Sequence, residues 1–66
     1  MKIKLDEKND ALYFRLDETE VFESEKVAPG IIIDFSKEGK FVGIEILNLS
    51  QRIEPSKLKL LQYDTA

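Results

Sequence analysis

The sequence contains neither cysteine nor histidine among its 66 residues. The absence of cysteine excludes disulfides, and the absence of both residues excludes the thiolate and imidazole ligands of zinc sites. A chain of this length buries only about 60% of the surface that its unfolded form exposes, so its own core is marginal. Oligomerisation is the usual supplement that remains.

Long hydrophobic runs are absent as well. The longest apolar run, Ile31 to Ile33, is far shorter than the roughly 18 residues that indicate a membrane span. Residues 1–4 alternate apolar and charged side chains, whereas a signal peptide needs an unbroken apolar stretch after its basic start. We therefore expect a cytoplasmic protein that does not bind a membrane.

The sequence has no excess of basic residues, since ten lysines and arginines stand against thirteen acidic residues, for a net charge of -3. Binding to nucleic acid requires a basic face that displaces counterions from the phosphates. A weak nucleic-acid binder is therefore only an alternative. It would need to gather four basic side chains on one face, namely Lys2, Lys4, Arg15 and Lys40.

Period-two alternation of apolar and polar residues dominates the first 47 positions. It predicts strands at 2–6, 11–16, 31–35 and 41–47, and a charged edge strand at 20–27. The apolar triplet 31–33 favours a central position for its strand. The predicted fold is α+β and mainly β: an antiparallel sheet of four to five strands, built from two hairpins and an edge strand, with a short C-terminal helix.

The C-terminal pattern differs from that of the sheet. Pro55 suits the first position of a helix, and Leu58 and Leu61 share one helical face, which predicts a short helix from Pro55 to Gln62. Two turns are not stable alone in water, so this helix must dock on the sheet or on another subunit. The chain is predicted to be one domain, with the sheet in 1–47 and a helical appendage in 48–66.

Gly43 interrupts a strand, and a large side chain, Tyr13 or Phe35, is expected to lie across it.

The predicted core occupies one face of the sheet. The core is predicted to hold the alternating apolar side chains Ile3, Leu5, Leu12, Phe14, Leu16, Ile32, Val42, Ile44 and Ile46.

Acidic residues near the first turn are the sharpest candidates for chemistry. Asp6, Glu7 and Asp10 offer the carboxylate oxygens that hard cations such as Mg²⁺ or Ca²⁺ prefer. Their spacing matches no complete calcium loop. Asp and Asn are also expected in a hairpin turn, because their side chains bond to nearby backbone, and we favour this interpretation.

A second acidic pair falls on the strands of one predicted hairpin. Asp34 and Glu45 suit a general acid/base pair, or an ion pair of either residue with Arg15 across the sheet. Because no imidazole, thiol or recognisable serine nucleophile accompanies them, we expect no enzyme and predict no catalytic, cofactor-binding or metal-binding residue. The alternative is a small hydrolase, metal-assisted or carboxylate-based, that uses Asp6, Asp10, Asp34 or Glu45.

Four blocks of the sequence follow one another in a distinctive order, namely Ile3-Lys4-Leu5-Asp6, Asp10-Ala11-Leu12-Tyr13-Phe14-Arg15-Leu16, Pro29-Gly30-Ile31-Ile32-Ile33-Asp34 and Val42-Gly43-Ile44-Glu45-Ile46-Leu47. Together they resemble a family of bacterial and archaeal proteins known as domain of unknown function 2283. The resemblance covers about residues 1–50, and it departs from the family pattern at Leu5 and Asn9. It implies a small sheet protein but no activity. It also suggests, as a further alternative, an antitoxin-like partner of a small neighbouring toxin.

Self-association is the most specific functional expectation. By the alternation, Ile31 and Ile33 lie on one face of their strand and Ile32 lies on the other. Apolar side chains on both faces are typical of a strand that is covered on both sides. A single sheet with one short helix cannot cover both, so we expect a two-fold homodimer that acts as a protein-interaction or regulatory module. A different protein partner is the competing occupant. Aromatic residues on the sheet suit such a covered surface better than a base-stacking platform; they are Tyr13, Phe14, Phe22, Phe35 and Phe41.

Overall fold

A computed structural model describes residues 1–60, 62, 64 and 65, apart from the side chain of Lys59. The chain forms one five-stranded antiparallel sheet with the spatial order β1-β2-β5-β4-β3. Two short 3₁₀ helices follow the sheet, at Leu49–Gln51 and Pro55–Leu60. The strands are β1 (Lys2–Asp6), β2 (Ala11–Arg15), β3 (Glu23–Ala28), β4 (Ile31–Phe35) and β5 (Phe41–Ile46).

The mainly β prediction and both predicted hairpins are confirmed. β1 pairs with β2, and β4 pairs with β5. β3 is an edge strand as predicted, although it begins at Glu23 instead of Glu20, and all six of its residues are exposed. β4 lies second from this edge and β5 occupies the centre, because β5 pairs with both β2 and β4.

The register of the strands separates the sheet into two faces of opposite character. Directly paired residues project from the same face, and the pairing repeats across all five strands. The apolar face consists of two rows that cross four strands. One row is Ile3, Phe14, Ile44 and Ile33, and the other is Leu5, Leu12, Ile46 and Ile31.

The other face, here called the polar face, carries mostly charged and hydroxyl side chains. Ile32 lies on this face because it pairs with Glu45 and Lys26. The prediction of Ile32 in the core together with Ile44 is therefore wrong: its neighbours Ile31 and Ile33 are the ones that share the face of Phe14. The register between β4 and β5 decides this assignment, since a shift of one residue exchanges the faces.

The predicted core is only partly enclosed within the chain. Val42 is 1% exposed, but Ile3, Leu5 and Leu16 expose 47%, 40% and 39% of their surfaces. The prediction that these three are buried is wrong for the single chain, because the part of the chain that the structure describes does not enclose them. The other predicted core residues are half-buried, and the buried apolar residues of the described chain are Ala11, Val42 and Leu49.

The C-terminal appendage forms 3₁₀ turns where an α-helix is predicted. Pro55–Leu60 is a 3₁₀ helix, Leu58 is half-buried, and Leu61 lies outside the described residues. Two turns of α-helix make too few hydrogen bonds to offset the cost of nucleation, and the tighter 3₁₀ form is common in such short pieces. No helix among the described residues is long and apolar enough to cross a membrane.

Candidate functional site

The carboxylate of Asp6 caps the turn between β1 and β2. It accepts hydrogen bonds from the backbone nitrogen of Asn9 at 3.1 Å and from the Asn9 side-chain nitrogen at 2.8 Å. These bonds stabilise the charged form and hold the pKa of Asp6 below its ordinary value. Asp6 thus takes part in an Asx-type turn, as the sequence predicts for this segment.

Asp10 attaches the C-terminal segment, defined here as residues 48–60, to the sheet. Its carboxylate accepts hydrogen bonds from the backbone nitrogen of Ser50 at 2.9 Å and from the Ser50 hydroxyl at 2.7 Å. Its carbonyl oxygen accepts a hydrogen bond from the backbone nitrogen of Leu49 at 2.9 Å. Asp10 has a positive φ of 52°, which Asp tolerates better than most residues. Asp10 therefore links the turn between β1 and β2 to the C-terminal segment.

Asp34 lies at the centre of a hydrogen-bond network on the polar face. Its carboxylate accepts a hydrogen bond from the Tyr13 hydroxyl at 3.0 Å and another from the Ser24 hydroxyl at 2.6 Å. Tyr13 reaches Asp34 by passing over Gly43, where an added Cβ would lie 3.2 Å from the Tyr13 hydroxyl oxygen. The prediction that a large side chain, Tyr13 or Phe35, lies across Gly43 is thus confirmed, and the side chain is that of Tyr13. Burial, together with the hydrogen bond and charge of Asp34, raises the pKa of Tyr13.

The candidate carboxylates lie in two regions. Asp6, Glu7 and Asp10 line one concavity together with Ser50, as the predicted set near the first turn. Asp34 accepts hydrogen bonds from two hydroxyls on the polar face, where Glu45 pairs with Tyr13 and Ile32. In the described part of the chain, no group of three or more acidic side chains could hold a metal ion. Whether the chain is an enzyme stays a prediction.

The basic residues are interspersed with acidic ones. Lys2, Lys4 and Arg15 project from the polar face, but the Arg15 guanidinium donates to the carbonyl oxygens of Asp17 and Thr19 at 2.8 and 2.6 Å. Lys40 lies in the loop before β5 and borders a concavity with Asp17 and Thr19. The register therefore places three of the four candidate basic side chains on one face, and the fourth lies in a loop beside the contacts of Arg15.

The apolar face is only partly covered by the described residues. Neither row contains a buried residue: Ile3 and Leu5 are exposed and the other six are half-buried. At the β1 side, this face and the C-terminal segment border a concavity of about 490 Å³. The residues that line it are Ile3, Leu5, Leu12, Leu49, Ile53, Lys57, Leu58, Leu60 and Gln62.

Two residues that hold this surface together are not among the sequence predictions. Leu49 is 4% exposed, and Arg52 donates to the carbonyl oxygens of Leu47 and Pro29 at 2.9 and 2.6 Å. The Arg52 guanidinium fills the space beside Gly30, where a Cβ would lie 2.5 Å from one of its nitrogens. The isolated Leu49 after β5 is the only local signal for this anchoring, because the partners of Arg52 are distant in sequence.

The aromatic side chains do not form one stacking platform. Tyr13 and Phe14 are neighbours in β2, so they project from opposite faces of the sheet. Phe22 is 67% exposed and precedes the edge strand β3. Aromatic residues are therefore distributed over both faces, and only Phe14 belongs to the two apolar rows.

These features define a small single-sheet protein with one open apolar face. The protein family described as Protein of unknown function (DUF2283) matches residues 2–50. The chain belongs to this family, which confirms the resemblance seen in the sequence. A search of curated proteins and a search of solved structures gave no match.

Proposed function

We propose that this chain is a protein-interaction module that acts through the apolar face of its sheet, and that its first partner is a second copy of itself. The chain would then be a two-fold homodimer without catalytic activity of its own. A partner protein of another kind, such as a toxin bound by an antitoxin-like module, is the competing occupant of the same face.

The observation that supports this proposal is the exposure of the two apolar rows. Stable domains pack at least two layers of secondary structure around a core. Here the described chain supplies one sheet and a short segment that borders a concavity at β1 and β2. Covering apolar surface stabilises a protein by about 25 cal/mol per Å², so covering two exposed and six half-buried side chains would favour association. A second sheet offers a layer of matching size.

The arrangement of the carboxylates supports a non-enzymatic role. Asp6 and Asp10 each accept hydrogen bonds from one backbone and one side-chain donor, and Asp34 accepts hydrogen bonds from two hydroxyls. A general acid or base needs a pKa near the working pH and access to a substrate. The only shifted carboxylate pKa values among the described residues, those of Asp6 and Asp17, are lowered, which keeps both groups ionised.

Two adjacent residues of β4 provide a matched test. Ile33 lies in an apolar row, and Ile32 lies on the polar face. We expect sedimentation equilibrium at micromolar concentration to show a dimer for the natural chain and for Ile32→Lys, and a monomer for Ile33→Lys. Circular dichroism would verify that both variants retain the sheet.

The alternatives predict different results in the same experiment. A natural chain that is monomeric and stably folded at these concentrations would overturn self-association. A dimer that Ile32→Lys disrupts and Ile33→Lys leaves intact would show that association uses the polar face, and this outcome would also refute the proposal.

A further inference from the structure

The charges beside the apolar face are distributed unequally between its two edges. At the β3 edge, Glu25 continues the row of Ile33 and Ile44, so its carboxylate lies on the apolar side of the sheet. Glu23 lies two residues earlier in β3 and shares this face. At the opposite edge, Lys57 lines the concavity next to Ile3 and Leu5. The apolar face therefore has a negative edge at β3 and a positive group at β1.

Only two simple arrangements stack one such face on a second copy by a two-fold axis. An axis parallel to the strands places β1 of one copy over β3 of the other. An axis across the strands places β1 over β1 and β3 over β3. Sheets that pack face to face keep their strands within about 30° of each other, so both arrangements are compatible with normal sheet packing.

Electrostatics distinguishes the two arrangements. β1 and β3 lie four strand spacings apart, which is about 19 Å. The charges at one edge of the face are therefore well separated from those at the other edge. With the axis parallel to the strands, Lys57 of each copy approaches Glu25 of the other. With the axis across the strands, lysine approaches lysine and glutamate approaches glutamate, and such contacts between like charges oppose association.

The shape of the face favours the same arrangement. At β1 and β2 the C-terminal segment forms one wall of the concavity, and its Arg52 reaches the turn between β3 and β4 at Pro29. The face is open at β3, because every residue of that strand is exposed. Stacking β1 on β1 would bring the two C-terminal segments together, whereas stacking β1 on β3 places each segment against the open edge of its partner.

We infer that the partner of the apolar face is a second copy whose two-fold axis runs parallel to the strands, so that Lys57 of each copy meets Glu25 of the other. This inference rests on the proposed self-association and specifies its geometry. Each charge pair occurs twice in the dimer because of the symmetry.

Reversal of the two charges tests the inference. We expect Glu25→Lys and Lys57→Glu each to weaken the dimer about tenfold, since each change replaces two attractive pairs by two repulsive ones. The double variant Glu25→Lys/Lys57→Glu restores the pairs with exchanged signs, and we expect it to associate as the natural chain does. Sedimentation equilibrium at low salt measures all four dissociation constants. Both residues are exposed, so the substitutions leave the fold intact.

The outcomes separate this geometry from the proposed function. If Ile33→Lys abolishes the dimer but the single charge reversals leave it unchanged, or if the double variant stays as weak as the single ones, the inferred geometry is wrong and self-association stands. A monomeric natural chain overturns both.

Cross-linking provides an independent measurement, because the natural chain contains no cysteine. Glu25→Cys and Lys57→Cys proteins, refolded together and treated with a short bismaleimide, are expected to give the mixed 25–57 product. Products that join 25 to 25 and 57 to 57 would indicate the axis across the strands and overturn the inference. Lys26→Cys is the matched control: it neighbours Glu25 but projects from the polar face, so it should not cross-link to Lys57→Cys.

Discussion

Gly43 shows how a single residue permits the hydrogen-bond network of the polar face. It pairs with Arg15 on one side and with Asp34 on the other. The absence of a side chain leaves a gap in the sheet, and the Tyr13 ring occupies this gap to reach Asp34. A glycine within a strand weakens it, so the close approach of Tyr13 is the physical reason for this residue.

Substitution of this glycine should therefore destabilise the fold. We expect Gly43→Ala to lower the free energy of unfolding by about 1–3 kcal/mol, as is typical of overpacking. The new Cβ would lie 2.9 Å from the carbonyl oxygen of Phe14 and 3.2 Å from the Tyr13 hydroxyl oxygen. Urea denaturation measures the change.

Gly39 offers the control for this substitution. A Cβ at this position meets nothing within 4 Å, and its φ of +80° lies in the region that Asn tolerates. Gly39→Asn should cost less than Gly43→Ala. Equal losses for the two variants would argue against the steric explanation.

At the scale of the element, the C-terminal segment depends on contacts with the sheet. Asp10 binds Leu49 and Ser50 at the turn between β1 and β2, and Arg52 binds the carbonyl oxygens of Leu47 and Pro29. These contacts attach the first 3₁₀ helix at two points. The second helix, Pro55–Leu60, borders the concavity with half-buried Leu58 and more exposed residues.

Leucine truncations at two positions should reveal this difference. We expect Leu49→Ala to destabilise the protein by about 2–5 kcal/mol, because it removes a nearly buried side chain and leaves a cavity. Leu60→Ala deletes the same atoms from a side chain that is 70% exposed, so its effect should be much smaller. Thermal unfolding of both variants provides the comparison. A larger loss for Leu60→Ala would mean that Leu60 is covered in the assembled protein.

At the scale of the whole molecule, the open apolar face links folding to association. If the sheet is stabilised by a second copy, the stability of the protein must depend on its concentration. We expect each tenfold increase in chain concentration to stabilise the natural dimer by about 1.4 kcal/mol, which follows from mass action. Urea midpoints measured over a hundredfold range of concentration check this expectation.

Ile33→Lys is again the informative variant. Its midpoint should not vary with concentration, because the monomer has no association step to lose. A constant midpoint for the natural chain over the same range would contradict folding that is coupled to dimer formation.

The local pattern of the sequence determined where the strands lie. Alternation of side chains is a property of a few neighbouring residues, and it placed β1 and β4 at their observed bounds and the edge strand β3 within three residues of its observed start. The charged composition of β3 indicated its place at an edge. Gly43 likewise predicted a crossing side chain, because a glycine in a strand is costly unless something occupies its space.

Only the tertiary structure decided which residues share a face and which are covered. The register between β4 and β5 placed Ile33 beside Ile44 and moved Ile32 to the polar face, and no local pattern distinguishes the two choices in an apolar triplet. The burial of Leu49 depends on Asp10, about 40 positions earlier in the chain. Ile3 and Leu5 are exposed because the described C-terminal residues border them without enclosing them. Such properties arise from pairings between distant segments. The alternation of neighbouring residues carries no information about the free energies of those pairings.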